Sequence, residues 1–444
     1  MTRKDFIGGA FALAAAGRAW GAGAPSNRVR LAIVGCRKGG RGAEVVKRAM
    51  DVPGVEIAYV CDVDARAMDF AADLVAQTSG FRPRREKDLR KVLADRELDG
   101  IISETPDHFH AWSAVMAMRA GKHVYVEKPC AFCPREGEII LDTWRKTGMV
   151  FQMGSQRRAA VSFREAVAAI RNEGAIGETK WGKCWYMTRR AGIGNGKKIA
   201  PPEWLDWDLW QGPAPRVDFQ DNVVHYNWHW FRNWGTGECG NNSVHFVDIA
   251  RWCLGVDWPE RVVSAGGKFW ISADDDWAWP DSQNVTWSFP GAKFITWEGL
   301  SCTNMKPFMN VSTGALIYGT KGSAFFSPAG GVDFFDLKGK PLRRWDASGK
   351  AAPITNTDDR SGGGWNDTTR DHLANFVDCI RAKAPEKAYS NAEIGVKSTF
   401  LALSANVSQL TGRPIDIDPK TGRLLTKEGA QLWSREYEKG WELV

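Results

Sequence analysis

The sequence predicts an α/β protein whose N-terminal part is a doubly wound parallel sheet. Three observations predict it. A β-branched run, 29–34, breaks into a glycine-rich turn. A helical stretch follows, and then a second apolar run, 55–61, that ends in Asp62. Two more apolar runs, 98–103 and 123–126, each end in a polar cluster, where such sheets bind their ligands. Composition agrees. The chain has 444 residues, 43% hydrophobic and 25% charged, which excludes disorder along its whole length and fits two to three domains. No apolar run reaches the roughly 18–20 residues that span a bilayer, so no membrane span is expected. Net charge is +7 with no Lys/Arg block, and no nucleic-acid partner is expected. The nine Cys have no framework spacing, and Cys130 and Cys133 read as packing thiols.

Residues 1–24 read as an export signal. Thr2-Arg3-Lys4-Asp5-Phe6 precedes an apolar run, 7–16, and small residues lead to Ala22-Gly23-Ala24. The start is similar to a twin-arginine signal with Lys in the second basic place. An exported or periplasmic location is the expectation. That route carries folded proteins, often with a cofactor already bound.

Residues 28–150 form the expected nucleotide-binding domain. After strand 29–34 the turn runs Gly35-Cys36-Arg37-Lys38-Gly39-Gly40-Arg41-Gly42, and helix 43–50 follows. A turn that passes close to a pyrophosphate tolerates few side chains, and the helix N-terminus offers free N–H groups to the anion. Gly35 and Gly40 fit the G-x-G-x-x-G register, while Arg37 takes the middle place and brings charge to the phosphates. Asp62, 27 residues after Gly35, is placed to accept hydrogen bonds from ribose hydroxyls. A carboxylate there repels a 2′-phosphate and favours NAD; nearby Arg66 leaves NADP open. Strand 98–103 leads into Glu104-Thr105-Pro106-Asp107-His108-Phe109-His110 and helix 111–120, and strand 123–126 ends in Glu127-Lys128-Pro129.

With Glu127-Lys128-Pro129 the chain resembles the glucose–fructose oxidoreductase / inositol dehydrogenase / rhizopine-catabolism (Gfo/Idh/MocA) family of nicotinamide-dependent sugar oxidoreductases. Thr105-Pro106-Asp107-His108-Phe109-His110, Ala120-Gly121-Lys122-His123-Val124, the stretch 205–213 and the stretch 237–248 also match its pattern. The resemblance implies a Rossmann domain followed by an α+β substrate domain with a large, mostly antiparallel open sheet, and a homo-oligomer, dimer or tetramer. Residues 151–418 are assigned to that second domain and 419–444 to a C-terminal tail. Short segments at 180–188, 261–270, 284–289, 293–297 and 315–319 read as its strands, and helices 371–381 and 391–410 close the fold.

Oxidising a secondary alcohol needs a hydride acceptor at the carbinol carbon and a base on the hydroxyl. Lys128, at a strand tip beside the expected nicotinamide, is the first candidate base. His245 is the second. The family often shows Asp-x-x-x-His here with both residues on the substrate; this chain has Asn241 in place of the Asp, so Asn241 is expected to orient a hydroxyl. By resemblance, His110 packs near the nicotinamide with Asp107 orienting it, Thr105 and Pro106 line the cofactor, and Glu127 bonds its ribose or the loop backbone. The aromatic run 225–231, with Tyr226 and His229, and Trp207 are candidates for the floor of a sugar site. No zinc spacing and no Gly-x-Ser-x-Gly elbow is seen, so no metal is expected.

The leading reading is an NAD(P)-dependent oxidoreductase acting on a secondary hydroxyl of a sugar or glycoside, with C3 as the candidate carbon and a tightly bound, recycled cofactor. A second reading is an NAD-dependent glycoside hydrolase that uses transient C3 oxidation, elimination, water addition and re-reduction. A third is a non-catalytic sugar-binding protein on the same fold.

Overall fold

The computed structural model describes residues 28–352 and 365–444. The export-signal reading, 1–24, lies outside the described residues. The first sheet is built from β1 (Val29–Val34), β2 (Val55–Cys61), β3 (Arg84–Glu86), β4 (Gly100–Ser103), β5 (His123–Val126) and β6 (Phe151–Met153). Its order is β3-β2-β1-β4-β5-β6, parallel throughout. The strand order reverses between β1 and β4, which puts a ligand crevice at their carboxyl ends. α1 (Arg41–Met50), α2 (Ala65–Ser79), α3 (Leu89–Leu93), α4 (Asp107–Arg119) and α5 (Pro134–Thr147) supply the crossovers.

Alternation along β1 divides the packing. Leu31 and Ile33 face a core shared with α1 and α2, while Ala32 and Val34 face a core shared with α4 and α5. Helix α4 has no polar stripe, because its first three turns are buried almost all round between the sheet, α5 and Trp441.

After β6 come α6 (Val161–Asn172), β7 (Thr179–Met187), the short α7 (Trp207–Gln211) and α8 (Val244–Leu254). Eight more strands follow: β8 (Arg261–Gly267), β9 (Ser282–Phe289), β10 (Lys293–Leu300), β11 (Thr313–Gly319), β12 (Gly322–Phe326), β13 (Val332–Asp336), β14 (Pro341–Trp345) and β15 (Ala351–Ala352). Helices α9 (Trp365–Ala382) and α10 (Ala392–Thr411), strand β16 (Ile415–Asp416) and the four-residue α11 (Lys427–Ala430) come last. Among the described residues the second sheet has ten strands, ordered β15-β14-β13-β12-β11-β7-β10-β9-β8-β16. Every neighbouring pair is antiparallel except β7 and β10. Its inner face, with Trp287, Trp297 and Ile317, packs on α8 and α10 in the same core that underlies α4 and α5. One continuous core therefore joins the two sheets.

Two boundaries differ from expectation for visible reasons. The run 261–270 stops being a strand at Gly267, because the N–H groups of Phe269, Trp270 and Ile271 all turn to Asp281 Oδ2, at 2.9, 2.8 and 2.8 Å. The helix expected at 371–381 begins at Trp365, and its Leu373, Phe376 and Val377 pack on the parallel sheet beside α1. Helix α8 is pinned by a buried bidentate pair: Arg158 donates to Asp248 through Nε at 2.7 Å and Nη2 at 2.8 Å, and Ser398 Oγ adds a bond at 2.5 Å.

Residues 202–231 form a separate feature, a strap with a small core of its own. Trp207, Trp210 and Phe219 pack together there, and Trp234, just beyond the strap, and Val63 of the first domain pack against them. Five of the 22 Trp residues, Trp204, Trp207, Trp210, Trp228 and Trp234, belong to this cluster.

Candidate active site

A cavity of about 640 Å³ runs along the tips of β1, β2, β4 and β5 and continues under residues 225–229 to Asn241 and His245. Its first end is the glycine turn. Gly35 has φ +82°, and a Cβ there would stand 2.6 Å from the carbonyl oxygen of Glu104, so only glycine lets the turn lie this close to β4. Helix α1 then starts behind Gly40 with no side chain capping its N–H groups. Arg37 and Gly40 both line the cavity. Asp62 Oδ2 accepts from the Cys36 N–H at 2.7 Å and Oδ1 from the Asp64 N–H at 2.9 Å, which ties the turn to the tip of β2. Burial pushes the Asp62 carboxyl up, against the pull of these two amides. An uncapped helix start, a turn with no room for a side chain at Gly35 or Gly42 and a carboxylate at the β2 tip fit a dinucleotide.

Between the two ends lies a group of charges. Arg41 Nε donates to Glu127 Oε1 at 3.0 Å, and the Lys128 N–H donates to Glu127 Oε2 at 3.1 Å. Burial acts to raise the Glu127 carboxyl, but Arg41 and Lys128 outweigh it and leave it below the usual range. Glu104 is the opposite case. Burial first, and the Glu127 charge second, push its carboxyl well up. Arg41 and Glu104 were not singled out from sequence. The signal was there, since both sit at the carboxyl side of the strands, one opening α1 and one ending β4.

The reacting end is organised by Asn241. Lys128 Nζ donates to the Asn241 carbonyl oxygen at 2.7 Å and to Asn241 Oδ1 at 3.0 Å. A wide π-helical turn, Cys239–Ser243, leads into α8 and makes this possible by presenting backbone and side chain of one residue together. The turn needs Gly240, where a Cβ would run into the Thr236 side chain. Thr236 is in turn held by Asp107 Oδ2, which accepts from its N–H at 3.0 Å and its hydroxyl at 2.5 Å. Asp107 therefore steadies this turn and is not the partner of His110. The His110 ring nitrogens face the Pro129 and Thr105 carbonyl oxygens, each at 2.7 Å, so His110 braces the cavity wall.

His245, the second residue of α8, lines the cavity. Burial, then the charges of Lys128, Arg157 and Arg41, hold its imidazole well below the usual range, so it stays neutral. His229 stacks on Trp228 at 3.6 Å, with Nδ1 2.6 Å from the Tyr226 carbonyl oxygen. The carbonyl can only accept, so the ring hydrogen is on Nδ1 and the lone pair is on Nε2. Burial pushes its pKa down to about 3. The Tyr226 hydroxyl accepts from Arg190 Nη1 at 2.9 Å, and Arg190 is paired with Glu238 at 2.5 Å.

The structure thus brings together on one cavity Gly35, Arg37, Gly40, Asp62, Thr105, Pro106, His110, Glu127, Lys128, Tyr226, His229, Asn241 and His245. Trp207 is the exception. It does not line the cavity; it stacks on Trp210 at 4.8 Å inside the strap, with Nε1 donating to the Val217 carbonyl oxygen at 2.9 Å. Asn241 meets Lys128, a contact the sequence did not suggest.

Residues 29–155 match the oxidoreductase family with an NAD-binding Rossmann fold. The chain is 31% identical over 194 residues to a 4-carboxy-2-hydroxymuconate-6-semialdehyde dehydrogenase of Sphingobium sp., a stretch covering 43% of this chain and 57% of that protein. It is 37% identical over 123 residues to a glycosyl hydrolase family 109 protein of Saccharopolyspora erythraea, covering 27% of this chain and 26% of the relative. Both matches span less than two thirds of the relatives' own length. A levoglucosan dehydrogenase solved with NADH and levoglucosan superposes with a TM-score of 0.64 at 18% identity, over 88% of this chain and 99% of that one. The myo-inositol 2-dehydrogenase of Lactobacillus plantarum gives 0.63 at 18%, over 88% and 100%. These two likenesses show a shared fold.

Proposed function

Because residues 29–155 of this chain belong to the Gfo/Idh/MocA oxidoreductases and form their NAD-binding Rossmann domain, we propose that the protein is an NAD-dependent oxidoreductase acting on a secondary hydroxyl of a sugar or glycoside. The observation that carries this reading is the placement of Lys128, at the tip of β5 on the shared cavity, with its amine held by both oxygens of Asn241. Gly35, Gly40 and the start of α1 would hold the pyrophosphate, and Asp62 a ribose. Bound NAD supplies the acceptor for the hydride of the carbinol carbon.

The chain's own residues do the rest. Two of the three ammonium donors of Lys128 are taken by Asn241, so the third is left to hold the substrate's hydroxyl oxygen. His245, held neutral, is an acceptor for the hydroxyl proton on the same cavity. A positioned proton acceptor of this kind is worth about 10²–10⁴-fold. Removing the amine with Lys128→Ala strips a positioned donor from that oxygen and should slow the hydride step by about 10²–10³-fold in single turnover while NAD still binds. Unchanged single-turnover rates would remove Lys128 from the mechanism.

One observation favours a second reading, net glycoside hydrolysis. His229 puts a second imidazole on the cavity that holds Lys128 and His245, with its hydrogen on Nδ1 and its lone pair on Nε2. Transient oxidation at C3 acidifies the proton on C2. A second base removes it, the glycosidic oxygen leaves C1 and takes up a proton, water adds at C1, and the hydride taken from C3 in the first step returns there to restore the carbinol. The likeness to glycosyl hydrolase family 109 proteins supports this route. An export signal and self-association through the exposed face of the second sheet complete the proposal. On that face Trp181 stacks between Phe294 at 5.3 Å and Tyr318 at 4.7 Å. An exported enzyme meets little free NAD, which suits a cofactor that stays bound through turnover.

A further inference from the structure

The strap, residues 202–231, crosses from the second domain to the residues that follow the tip of β2, next to Asp62. It is joined there at several points. The Ala65 N–H donates to the Trp204 carbonyl oxygen at 3.0 Å, and the Asp206 N–H donates to the Val63 carbonyl oxygen at 3.0 Å. Asp64 and Leu205 form a β-bridge between these bonds. Lys87, at the end of β3, pairs with Asp206 at 2.6 Å. The Arg66 guanidinium carbon sits 3.5 Å from the centre of the Trp204 ring, and the guanidinium is held there by Asp64 Oδ1 and Oδ2 at 3.1 and 3.0 Å. Farther along the strap, His225 Nε2 approaches Asp64 Oδ2 to 2.9 Å.

These joints flank the part of the cavity that Asp62 assigns to the adenosine ribose. Asp62, Val63 and Lys87 line the cavity from the first domain, and Trp210 and His225 line it from the strap. The strap does not reach over as a loose loop, because Leu205, Trp207, Trp210 and Phe219 give it a packed core, closed by Trp234 just beyond its end. A segment of this kind moves as a unit, so its joints open together or not at all.

We propose that the strap is a cofactor-retaining element: it closes over the nucleotide end, and the dinucleotide leaves only when the joints at Val63, Asp64, Ala65 and Arg66 are broken. This inference rests on the NAD-binding of the first domain. It makes release slow relative to turnover, which matches an enzyme that reduces and reoxidises the same bound molecule. It also occupies Arg66, whose guanidinium is committed to Asp64 and Trp204.

The test is the rate at which NAD leaves. The full chain is loaded with NADH, and loss of the bound cofactor's fluorescence is followed after mixing with excess NAD. Trp204→Ala removes the ring that Arg66 lies on, and His225→Ala removes the contact to Asp64. Each hydrogen bond or cation–ring contact is worth about 3- to 10-fold in an opening equilibrium. Each variant should release NADH about 3- to 10-fold faster, and the double variant faster than either. Trp204→Phe, which keeps an aromatic face under Arg66, should return the rate to within about twofold of wild type, an outcome that general loosening of the fold does not produce. Release from all variants at the wild-type rate would overturn the inference. If the wild-type chain itself holds no NADH, the NAD-binding reading falls with it, and the two failures are told apart by the wild-type trace alone.

Discussion

At the residue scale the account turns on how a few buried charges are partnered. Lys128 is held by two oxygens of an uncharged residue, so its amine is fixed without an ion pair that would compete with a substrate oxygen. An Asp at position 241 would put a carboxylate within reach of that amine; Asn supplies the same acceptor geometry with no charge. Asp248 shows the structural use of charge. Burial acts to raise its carboxyl, and Arg158 outweighs burial and holds it below its usual value. Both partners are buried, with 4% and 1% of the side chain exposed, so losing one leaves the other stranded. Asp248→Ala is therefore expected to cost about 3–5 kcal/mol of stability, read from the urea unfolding midpoint. The lowered carboxyl fixes the pH dependence. Its contribution is complete above about pH 4, the unfolded value, and fades as pH falls further, so wild type and variant should converge in acid.

At the element scale, two irregular segments do what the regular ones cannot. The π-helical turn Cys239–Ser243 aims both oxygens of Asn241 at Lys128. Gly240 is the residue that permits it, since Thr236 lies where a Cβ would go. Gly240→Ala should displace Asn241 and lower kcat by about 10–100-fold, the scale of a small misplacement of a catalytic group. NAD affinity should stay within about threefold, because the nucleotide end lies on the other domain. Equal loss of NAD binding, measured by fluorescence titration, would show that the turn does more than place Asn241. The strap is the second irregular segment. Its Trp residues explain why Trp207 was misread from sequence. A Trp in a loop can face a ligand or the loop's own core, and local sequence does not distinguish them; here packing with Trp210, Phe219 and Trp234 decided it.

At the scale of the whole molecule, one core carries both sheets, and the cavity lies where the parallel strands end against the second domain. What the sequence revealed follows from this. Gly35, Asp62 and Lys128 were legible because a close approach of backbone to an anion, and an acid or amine at a strand tip, leave local signatures. Strands β12, β13 and β14 were not read, since they are short and the polar, glycine-containing turns after β13 (Leu337-Lys338-Gly339-Lys340) and β14 (Asp346-Ala347-Ser348-Gly349-Lys350) look like solvent-exposed loop. The contacts of Asn241 with Lys128, of His225 with Asp64 and of Arg158 with Asp248 join distant parts of the chain, and no local pattern announces them. The central claim is that an alcohol is oxidised at Lys128 by NAD held along this cavity. The most direct measurement mixes the NAD-loaded protein rapidly with a panel of sugars and aryl glycosides and follows the near-ultraviolet absorbance of reduced nicotinamide together with any phenol released. The account predicts a rapid rise in absorbance that Lys128→Ala abolishes, with phenol appearing and the absorbance returning to baseline if hydrolysis is the net reaction. No absorbance change with any substrate, from protein shown to hold NAD, would contradict it.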